Sequence, residues 1–413
     1  MKRIAVIGGG ISGLVSANLL SQRYEVTLFE ANDYLGGHAN TIDVELDGTR
    51  YSIDTGFTVF NKKTYPNFCR LLEKFNVATH PGEMSFSFRS DAMQLEYNWH
   101  NINTLFSDRR NLFNPDFYRF MNEIRRFNKD AKRFLRRAVV TDVSIGDFIR
   151  ENDYSSLFIH SYLIPMIAAI WSSDPDDVMH NSAHFVLQFY ANHGLLSAEN
   201  NPEWLVITGG ARNYIPPLIK NFQSNIQLNS KIERVERKEN SVVLKTQKDQ
   251  FTFDAVVMAV HSDQALHMLG DPTYAEQEVL SAIPYTKHDV ILHTDSSLLP
   301  RKRLAWAGCN YYDNGSARTT LTYYMNKLQQ LDASHDFCMS VNLSDLIDKE
   351  KVIKRFHYAH PCFSRQAVKA QQLHHHISGM NNTYYCGAYW GYGFHEDGVK
   401  SAMNACQQLG VIL

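Results

Sequence analysis

The segment Cys386–Gly398 reads CGAYWGYGFHEDG and sets an imidazole and two carboxylates side by side at His395, Glu396 and Asp397. Those residue types serve proton transfer or metal ligation. The spacing completes neither pattern. The residue four past His395 is Val399, so the HExxH arrangement that puts two imidazoles on one helical face is absent. His374, His375 and His376 form another imidazole run, but three consecutive side chains diverge, which suits a surface or pocket-edge segment better than a metal patch. No metal is expected.

At the other end of the chain the chemistry rests on backbone. Gly8-Gly9-Gly10-Ile11-Ser12-Gly13 follows an apolar run, Lys2 to Ile7, that reads as a buried strand, and it opens a helical stretch, LVSANLLSQR (14–23). A second strand, YEVTLFE, ends on Glu30. Strand, glycine turn, helix, strand and terminal acid together make the βαβ dinucleotide pattern, which a GxGxxG alone does not. Gly8 permits the tight turn, Gly10 lets the backbone approach a pyrophosphate, and Gly13 lets helix and strand pack closely. Ile11 and Ser12 stand at the helix N-terminus, whose free N–H groups and positive dipole end suit phosphate. Glu30, with Ala31 beside it, is placed to accept ribose hydroxyls.

Composition narrows the class. A chain of 413 residues has room for roughly two or three domains, and 41 basic against 43 acidic side chains leave no cationic surplus for nucleic acid. Six cysteines without a CxxC pair make neither a zinc site nor a disulfide framework, and suit a reducing compartment. MKRIAVIGGGISGL starts basic and apolar like a signal peptide, but its glycines run into the fold motif without a cleavage site. YLIPMIAAIW (162–171) is the most apolar internal stretch and is too short to span a bilayer. A cytoplasmic protein is expected, with peripheral contact to membrane or to a lipid-modifying enzyme left open.

After Glu30 the chain continues ANDYLGGHANT (31–41), a hairpin IDVELDGTRYSID (42–54) turning at Asp47-Gly48, and TGFTVFN (55–61). A glycine pair just past the ribose-binding acid is unnecessary in simple NAD domains. With it, the chain resembles the flavin-dependent amine oxidase superfamily, which includes monoamine oxidases, protoporphyrinogen oxidases and phytoene desaturases. It is most similar to bacterial NAD/FAD-binding, amine-oxidase-like proteins, a group associated with lipid-modifying enzymes of the cyclopropane-fatty-acid-synthase kind. The resemblance implies FAD. Covalent attachment in amine oxidases uses a cysteine near the C-terminal block, and Cys386 does not stand in that position, so the expectation is non-covalent FAD. In the family the segment after the acid ends Gly-Gly-Arg. Here it is Gly36-Gly37-His38: the glycines carry over, the arginine's two-pronged phosphate grip does not, and His38 is left one hydrogen bond for the pyrophosphate. Thr55, Gly56 and Phe57 fall where the family brings a strand end and loop close to the cofactor.

WLVITGGARNYI (204–215) matches the family's second glycine block through Gly209, Gly210 and Arg212. The alternation over 225–265 predicts successive strands. In relatives the residue corresponding to Ile232 meets the adenine end through its backbone, and FDAVVMAV (253–260) resembles a last nucleotide-domain strand whose end, at Ala259, closes over the cofactor. NNTYYCGAYW gives a short strand ending at Cys386-Gly387, and HEDGVKSAMNACQQLG (395–410) is helical with Val399, Met403 and Cys406 as its stripe. The family sets the start of this helix, His395 to Val399 with Gly398 among them, at the flavin pyrimidine ring, where N–H groups stabilise charge at N1 and O2. Glu396 and Asp397 suit its first turn as dipole-complementing caps. Phe394 matches one ring of the amine oxidases' aromatic pair but lacks the hydroxyl usual there, and no second ring is evident.

These blocks predict an α/β fold: a discontinuous FAD-binding Rossmann-like domain (1–75, 200–266, 377–413) with an interleaved α+β substrate domain, helical over 76–199 and an antiparallel sheet over 267–376. In YRFMNEIRRFNKDAKRFLRR (118–137), Tyr118, Met121, Ile124, Phe127 and Phe134 form a core-facing stripe among cations, with attraction to anionic lipid as the alternative. YLIPMIAAIWSS (162–173) and FVLQFYANHG (185–194) read as pocket walls, and DVILHTD, LAWAGCNYY and RTTLTYYMNKLQ as strands. Trp306, Asn310, Tyr323 and Asn326, with Trp390 and Phe394, are the substrate-pocket candidates. A flavin carries electron transfer itself, so His395 is the one side chain proposed for chemistry. The expected activity is FAD-dependent oxidation or desaturation of a lipophilic, fatty-acyl or isoprenoid-like molecule by hydride transfer to flavin N5, with oxygen or another acceptor taking the electrons. An amine oxidase acting on primary or secondary amines and a non-redox flavoprotein or isomerase are the competing readings.

Overall fold

Five parallel strands make the sheet that carries the first glycine turn, in the order Thr383–Tyr385, Ala255–Met258, Arg3–Ile7, Glu25–Phe29, Ile226–Gln227. They come from stretches far apart in the sequence. In this computed structural model, which describes residues 1–137, 142–197 and 202–412, the inner strands are apolar on both faces, as strands covered on both sides must be. Helices Ile11–Leu20 and His395–Gln408 lie on one face, joined through Leu14, Val15, Ala402 and Cys406. The antiparallel strands Arg234–Lys238, Ser241–Lys245 and Gln250–Phe253 and helix Tyr274–Ser281 cover the other. Helix Ile11–Leu20 is buried on every side, which fits its lack of any charged residue.

A seven-stranded sheet forms the second core, ordered Val352–Pro361, Tyr285–His293, Cys338–Val341, Leu321–Tyr324, Cys309–Asp313, Phe86–Ser90, Leu95–Asn98. Its last two strands lie inside the largely helical segment 76–199, where strands were not expected. Phe88 and Tyr97 face each other across that hairpin, both fully buried, and the alternation is short enough to escape a helix-length window. The junction of Cys309–Asp313 with Phe86–Ser90 is parallel, so the sheet is mixed rather than antiparallel throughout. Strand Thr79–Pro81 pairs instead with Leu205–Ile207. The predicted boundary at 199/200 lies outside the described residues.

Helix Pro115–Leu135 packs beneath this sheet. Asn114 caps it by accepting from Asp116 N–H, and Pro115 occupies the first turn, where no N–H is missed. Its buried stripe is Phe117, Phe120, Ile124, Phe127, Ala131 and Phe134. Tyr118, placed in the stripe by sequence, points outward; Phe117 and Phe120 hold the inward phase instead. The hairpin Thr41–Leu46/Thr49–Asp54 turns at Asp47 and Gly48, both at positive φ, as a two-residue turn requires.

Candidate active site

The cradle is built from three segments that touch. Gly8, at φ +104°, turns the chain so that its N–H donates to the Phe29 carbonyl at 2.8 Å, with the Ala259 carbonyl packed directly over it. A side chain on Gly13 would begin 1.8 Å from the Gly8 carbonyl oxygen, so helix and turn meet with no room between them. The Gly36 N–H donates to the Gly9 carbonyl at 2.8 Å, laying Gly36-Gly37-His38 beside the turn. Gly398 brings the last helix in: a Cβ there would lie 2.7 Å from Ile11. Gly387 N–H is held by Ser401 Oγ at 2.9 Å.

Helix Ile11–Leu20 begins at Gly10 with no side-chain cap and no acid in its first turn, leaving N–H groups of Ile11, Ser12 and Gly13 for a ligand. Nothing lies within 4 Å of where a Gly10 side chain would start. Glu30 is buried, and its carboxylate accepts from Gly9 N–H at 2.7 Å and Asn32 N–H at 2.8 Å, while Ala31 is exposed beside it. Ser230 N–H bonds to the Glu30 carbonyl, which brings the buried Ile232 to this end.

From His38 a row of imidazoles crosses toward the second sheet. Its ring lies 5.0 Å from Tyr358, 5.3 Å from His360 and 6.5 Å from His261; His360 lies 5.3 Å from His288. Neighbouring strands Tyr285–His293 and Val352–Pro361 pair His288 with Tyr358 and Thr286 with His360, which puts both imidazoles on one face. Burial pushes His38 and His288 down to about 4 and His261 to about 3, and burial with the surrounding imidazoles holds His360 well below the usual imidazole range. Burial thus favours the uncharged form of each ring. His38 Nε2, His360 Nδ1 and His288 Nε2 are buried without a protein partner. Thr55 Oγ1 meets the Tyr358 hydroxyl at 2.7 Å, and Phe57 N–H donates to the His38 carbonyl at 2.7 Å, tying Thr55-Gly56-Phe57 to the same row.

His395 belongs to a different neighbourhood. Its ring stacks on Phe57 at 3.5 Å, meets Phe68 edge-on, and sets Nε2 3.4 Å from the Tyr214 hydroxyl. Burial, then His38, drives its pKa well down. Glu396 caps another helix. Its carboxylate accepts from Asn67 N–H and Phe68 N–H, at the start of Pro66–Lys74, with Asn67 Nδ2 at 2.6 Å. Asp397 folds back within its own segment, taking Phe394 N–H at 3.1 Å and lying against Gly391. Arg212 bonds to Asp43 and to the Thr41 carbonyl, bracing the hairpin.

Asp397 gives a test of this packing. Burial raises its pKa from 3.8 to about 6, against the Phe394 N–H and Lys400. The fold therefore favours the protonated form, so this group's contribution to stability is full below pH 3.8 and is lost as pH rises through about 6. The expected result is that Asp397→Asn removes a pH-dependent loss of about 3 kcal/mol between those limits. Urea unfolding of both proteins from pH 4 to 7 reads it; parallel stability curves would reject the assignment.

In front of the last helix stands an aromatic wall. Phe394 stacks on Phe189 at 5.2 Å and Phe185 on Phe363 at 4.8 Å, while Trp171 Nε1 donates to the Tyr392 carbonyl at 2.9 Å. Phe363 is 3.2 Å from the Cβ position of Gly393, which is at φ +91°. Trp390 sits behind the cradle against His374. The other pocket candidates are not brought to the wall. Trp306 Nε1 bonds to the Pro300 carbonyl and its ring meets Tyr324; Asn310 bonds to Ser87, Ala307 and Thr322; Asn326 bonds to Phe337 N–H and the His335 carbonyl. Tyr323 is half-buried, packed against the edge of the core. Among the described residues no group of His, Cys, Asp or Glu has metal-ligand geometry.

An uncapped helix start, open space at Gly10, a buried acid at a strand end and an orphaned His38 nitrogen fit a dinucleotide's phosphates, ribose and linker. A profile of the family described as flavin containing amine oxidoreductase matches residues 11–294. The chain belongs to this family. As a member it is an FAD-dependent oxidoreductase, and residues of the three cradle segments would hold the cofactor. Over 100 residues, 24% of this chain, it is 34% identical to a 1-hydroxycarotenoid 3,4-desaturase of Flavobacterium sp. (strain P99-3), of whose length it spans 18%. Among solved structures it is similar to a CLA-producing fatty acid isomerase from P. acnes (17% identity, TM-score 0.71) and a cyclohexylamine oxidase from Brevibacterium oxydans IH-35A (13%, 0.69), each over 99% of both chains. At those identities they share the fold. A flavin carries the redox chemistry itself and needs few side chains, which agrees with a site made chiefly of glycine backbone and apolar rings.

Proposed function

We propose that this oxidoreductase oxidises or desaturates a lipophilic molecule, fatty-acyl or isoprenoid-like, with its flavin held non-covalently. The wall carries the reading. Phe189, Phe394, Phe185 and Phe363 offer neither hydroxyl nor carboxylate, and the Tyr392 hydroxyl and His193 ring that pack among them supply no carboxylate to pair with a buried ammonium. An apolar chain gains about 25 cal/mol for each Å² it buries there. The names of two relatives, a carotenoid desaturase and a fatty acid isomerase, point to apolar substrates of the same kind.

FAD, when bound, supplies the hydride acceptor. The chain's own residues would orient the substrate and exclude water: the wall would align it, and the uncapped first turn of helix His395–Gln408 would offer N–H groups to negative charge on the bound cofactor. His395 acts by position, since its ring partners are Phe57, Phe68 and Tyr214 rather than the wall. Two separate sheets support a division into a discontinuous cofactor domain and an interleaved substrate domain, although helices Tyr274–Ser281 and Arg365–Gln372, expected in the substrate domain, pack on the cofactor-binding sheet. Oxygen or another acceptor reoxidises the system, and no described helix is long and apolar enough to cross a membrane.

Anaerobic mixing of the yellow protein with a lipid extract tests the substrate class. The expected result is bleaching of the oxidised-flavin bands and, by mass spectrometry, a lipid two hydrogens lighter. Bleaching by primary or secondary amines but not by lipid would overturn the reading in favour of an amine oxidase. A rearranged lipid of unchanged mass, without bleaching, would overturn it in favour of an isomerase. Denaturation should release the flavin. Flavin retained on a peptide would overturn non-covalent binding, and Cys362 is the residue to inspect, since its neighbours Pro361 and Phe363 both pack on Gly393.

A further inference from the structure

The inward stripe of helix Pro115–Leu135 is fully used by the core, yet its outward face meets a second apolar feature that no described residue covers. Phe113 is 89% exposed and Ile102 77%, with Leu112 and Tyr118 partly exposed beside them. They form one surface. The Tyr118 hydroxyl donates to the Leu112 carbonyl at 2.9 Å, and Ile102, Tyr118 and Arg125 line a common groove. A protein seldom leaves a phenyl ring and a branched chain protruding together unless something meets them.

The charges nearby say what that something is. The Arg109 guanidinium is held by Asn103 Oδ1 at 2.6 Å and the Phe106 carbonyl at 3.0 Å, and Arg125 by Asn122 Oδ1 at 3.0 Å. Among the described residues neither has a carboxylate partner, although neighbouring Arg110, Arg119 and Arg126 do. Two uncompensated cations flanking protruding apolar tips match the layering of an anionic bilayer, with phosphates at the level of the guanidiniums and acyl chains beyond. A second copy meeting the patch across a two-fold axis would set like charges against each other.

We propose that this patch docks the protein on an anionic lipid bilayer, with Phe113 and Ile102 entering the acyl region and Arg109 and Arg125 on headgroup phosphates. The inference stands on exposure and charge and does not depend on which substrate the wall accepts.

Cosedimentation of the full-length holoprotein with vesicles of phosphatidylglycerol and phosphatidylcholine tests it. The expected partition coefficient is at least tenfold higher than for phosphatidylcholine alone, and falls about tenfold in molar salt. Ile102→Ser with Phe113→Ser should lower it at least tenfold, as should Arg109→Gln with Arg125→Gln, with flavin absorbance and melting temperature unchanged. Tyr274→Ser, at an equally protruding ring on another helix (81% exposed), should leave it unchanged. Absence of binding, binding indifferent to the Ile102 and Phe113 changes, or a dimer in solution that those changes dissolve would each overturn the proposal.

Discussion

Gly10→Ala is expected to give a folded protein that has lost its flavin. Gly10 has φ −75° and ψ −179°, a backbone that alanine adopts without strain, and no protein atom lies within 4 Å of the added methyl. The polypeptide therefore has no reason to move. What the methyl would fill is the space above the helix start, where a phosphate must come within hydrogen-bond distance of Ile11, Ser12 and Gly13 N–H. Overpacking of a close contact costs about 1–3 kcal/mol, or roughly ten- to a hundredfold in affinity. Reconstitution of the apoprotein, followed by quenching of flavin fluorescence, measures the loss, and the melting curve of the apoprotein should match wild type. Gly13→Ala makes the contrast. Its methyl would meet the Gly8 carbonyl at 1.8 Å, so it should lower stability as well as flavin content. A yellow Gly10→Ala protein of undiminished affinity would remove the phosphates from this turn.

That prediction was readable from sequence because everything in it is local. Gly8 to Gly13, the flanking strands and Glu30 stand within one βαβ unit, and their spacing alone states what the backbone does. Legibility ended where partners come from afar. Glu396 reads as a cap for its own helix, but its carboxylate closes the start of helix Pro66–Lys74, and nothing near either residue announces the pair. His38, His261, His288 and His360 lie in four separate segments that only folding assembles. Phe363 joins the wall through the placement of strand Val352–Pro361, whose alternation of Phe356, Tyr358 and His360 was the available signal. Tyr118 shows a finer limit: on a helix bearing aromatics at 117, 118 and 120, hydrophobicity gives no phase, and neighbouring elements choose it.

Glu276→Ala is expected to destabilise the cofactor-binding half by about 3–5 kcal/mol, the cost of leaving a buried charge unpaired. Glu276 and Arg237 side chains are 1% and 2% exposed, and the guanidinium grips the carboxylate with two bonds, 2.6 and 2.9 Å long. Tyr385 donates to the same carboxylate at 2.6 Å, and Thr273 N–H at 2.8 Å. One side chain thus joins helix Tyr274–Ser281, strand Arg234–Lys238 and the strand that delivers Cys386-Gly387 to the cradle. Burial pushes the Glu276 carboxyl up, but the bonds from Arg237, Tyr385 and Thr273 outweigh it and hold the pKa below 4.5. A folded value below the unfolded one means stability that is present above pH 4.5 and lost as pH falls through the folded pKa. Glu276→Gln should accordingly lose less in acid, relative to wild type, than at neutral pH. The double variant Glu276→Leu/Arg237→Met separates pairing from mere filling: removing both charges should cost less than removing Glu276 alone. Flavin affinity should fall with Glu276→Ala, because Tyr385 loses the bond that fixes the strand before Gly387. If the single change costs under about 1 kcal/mol and the double change costs more, packing around these side chains, rather than the ion pair, holds the cradle's third segment in place.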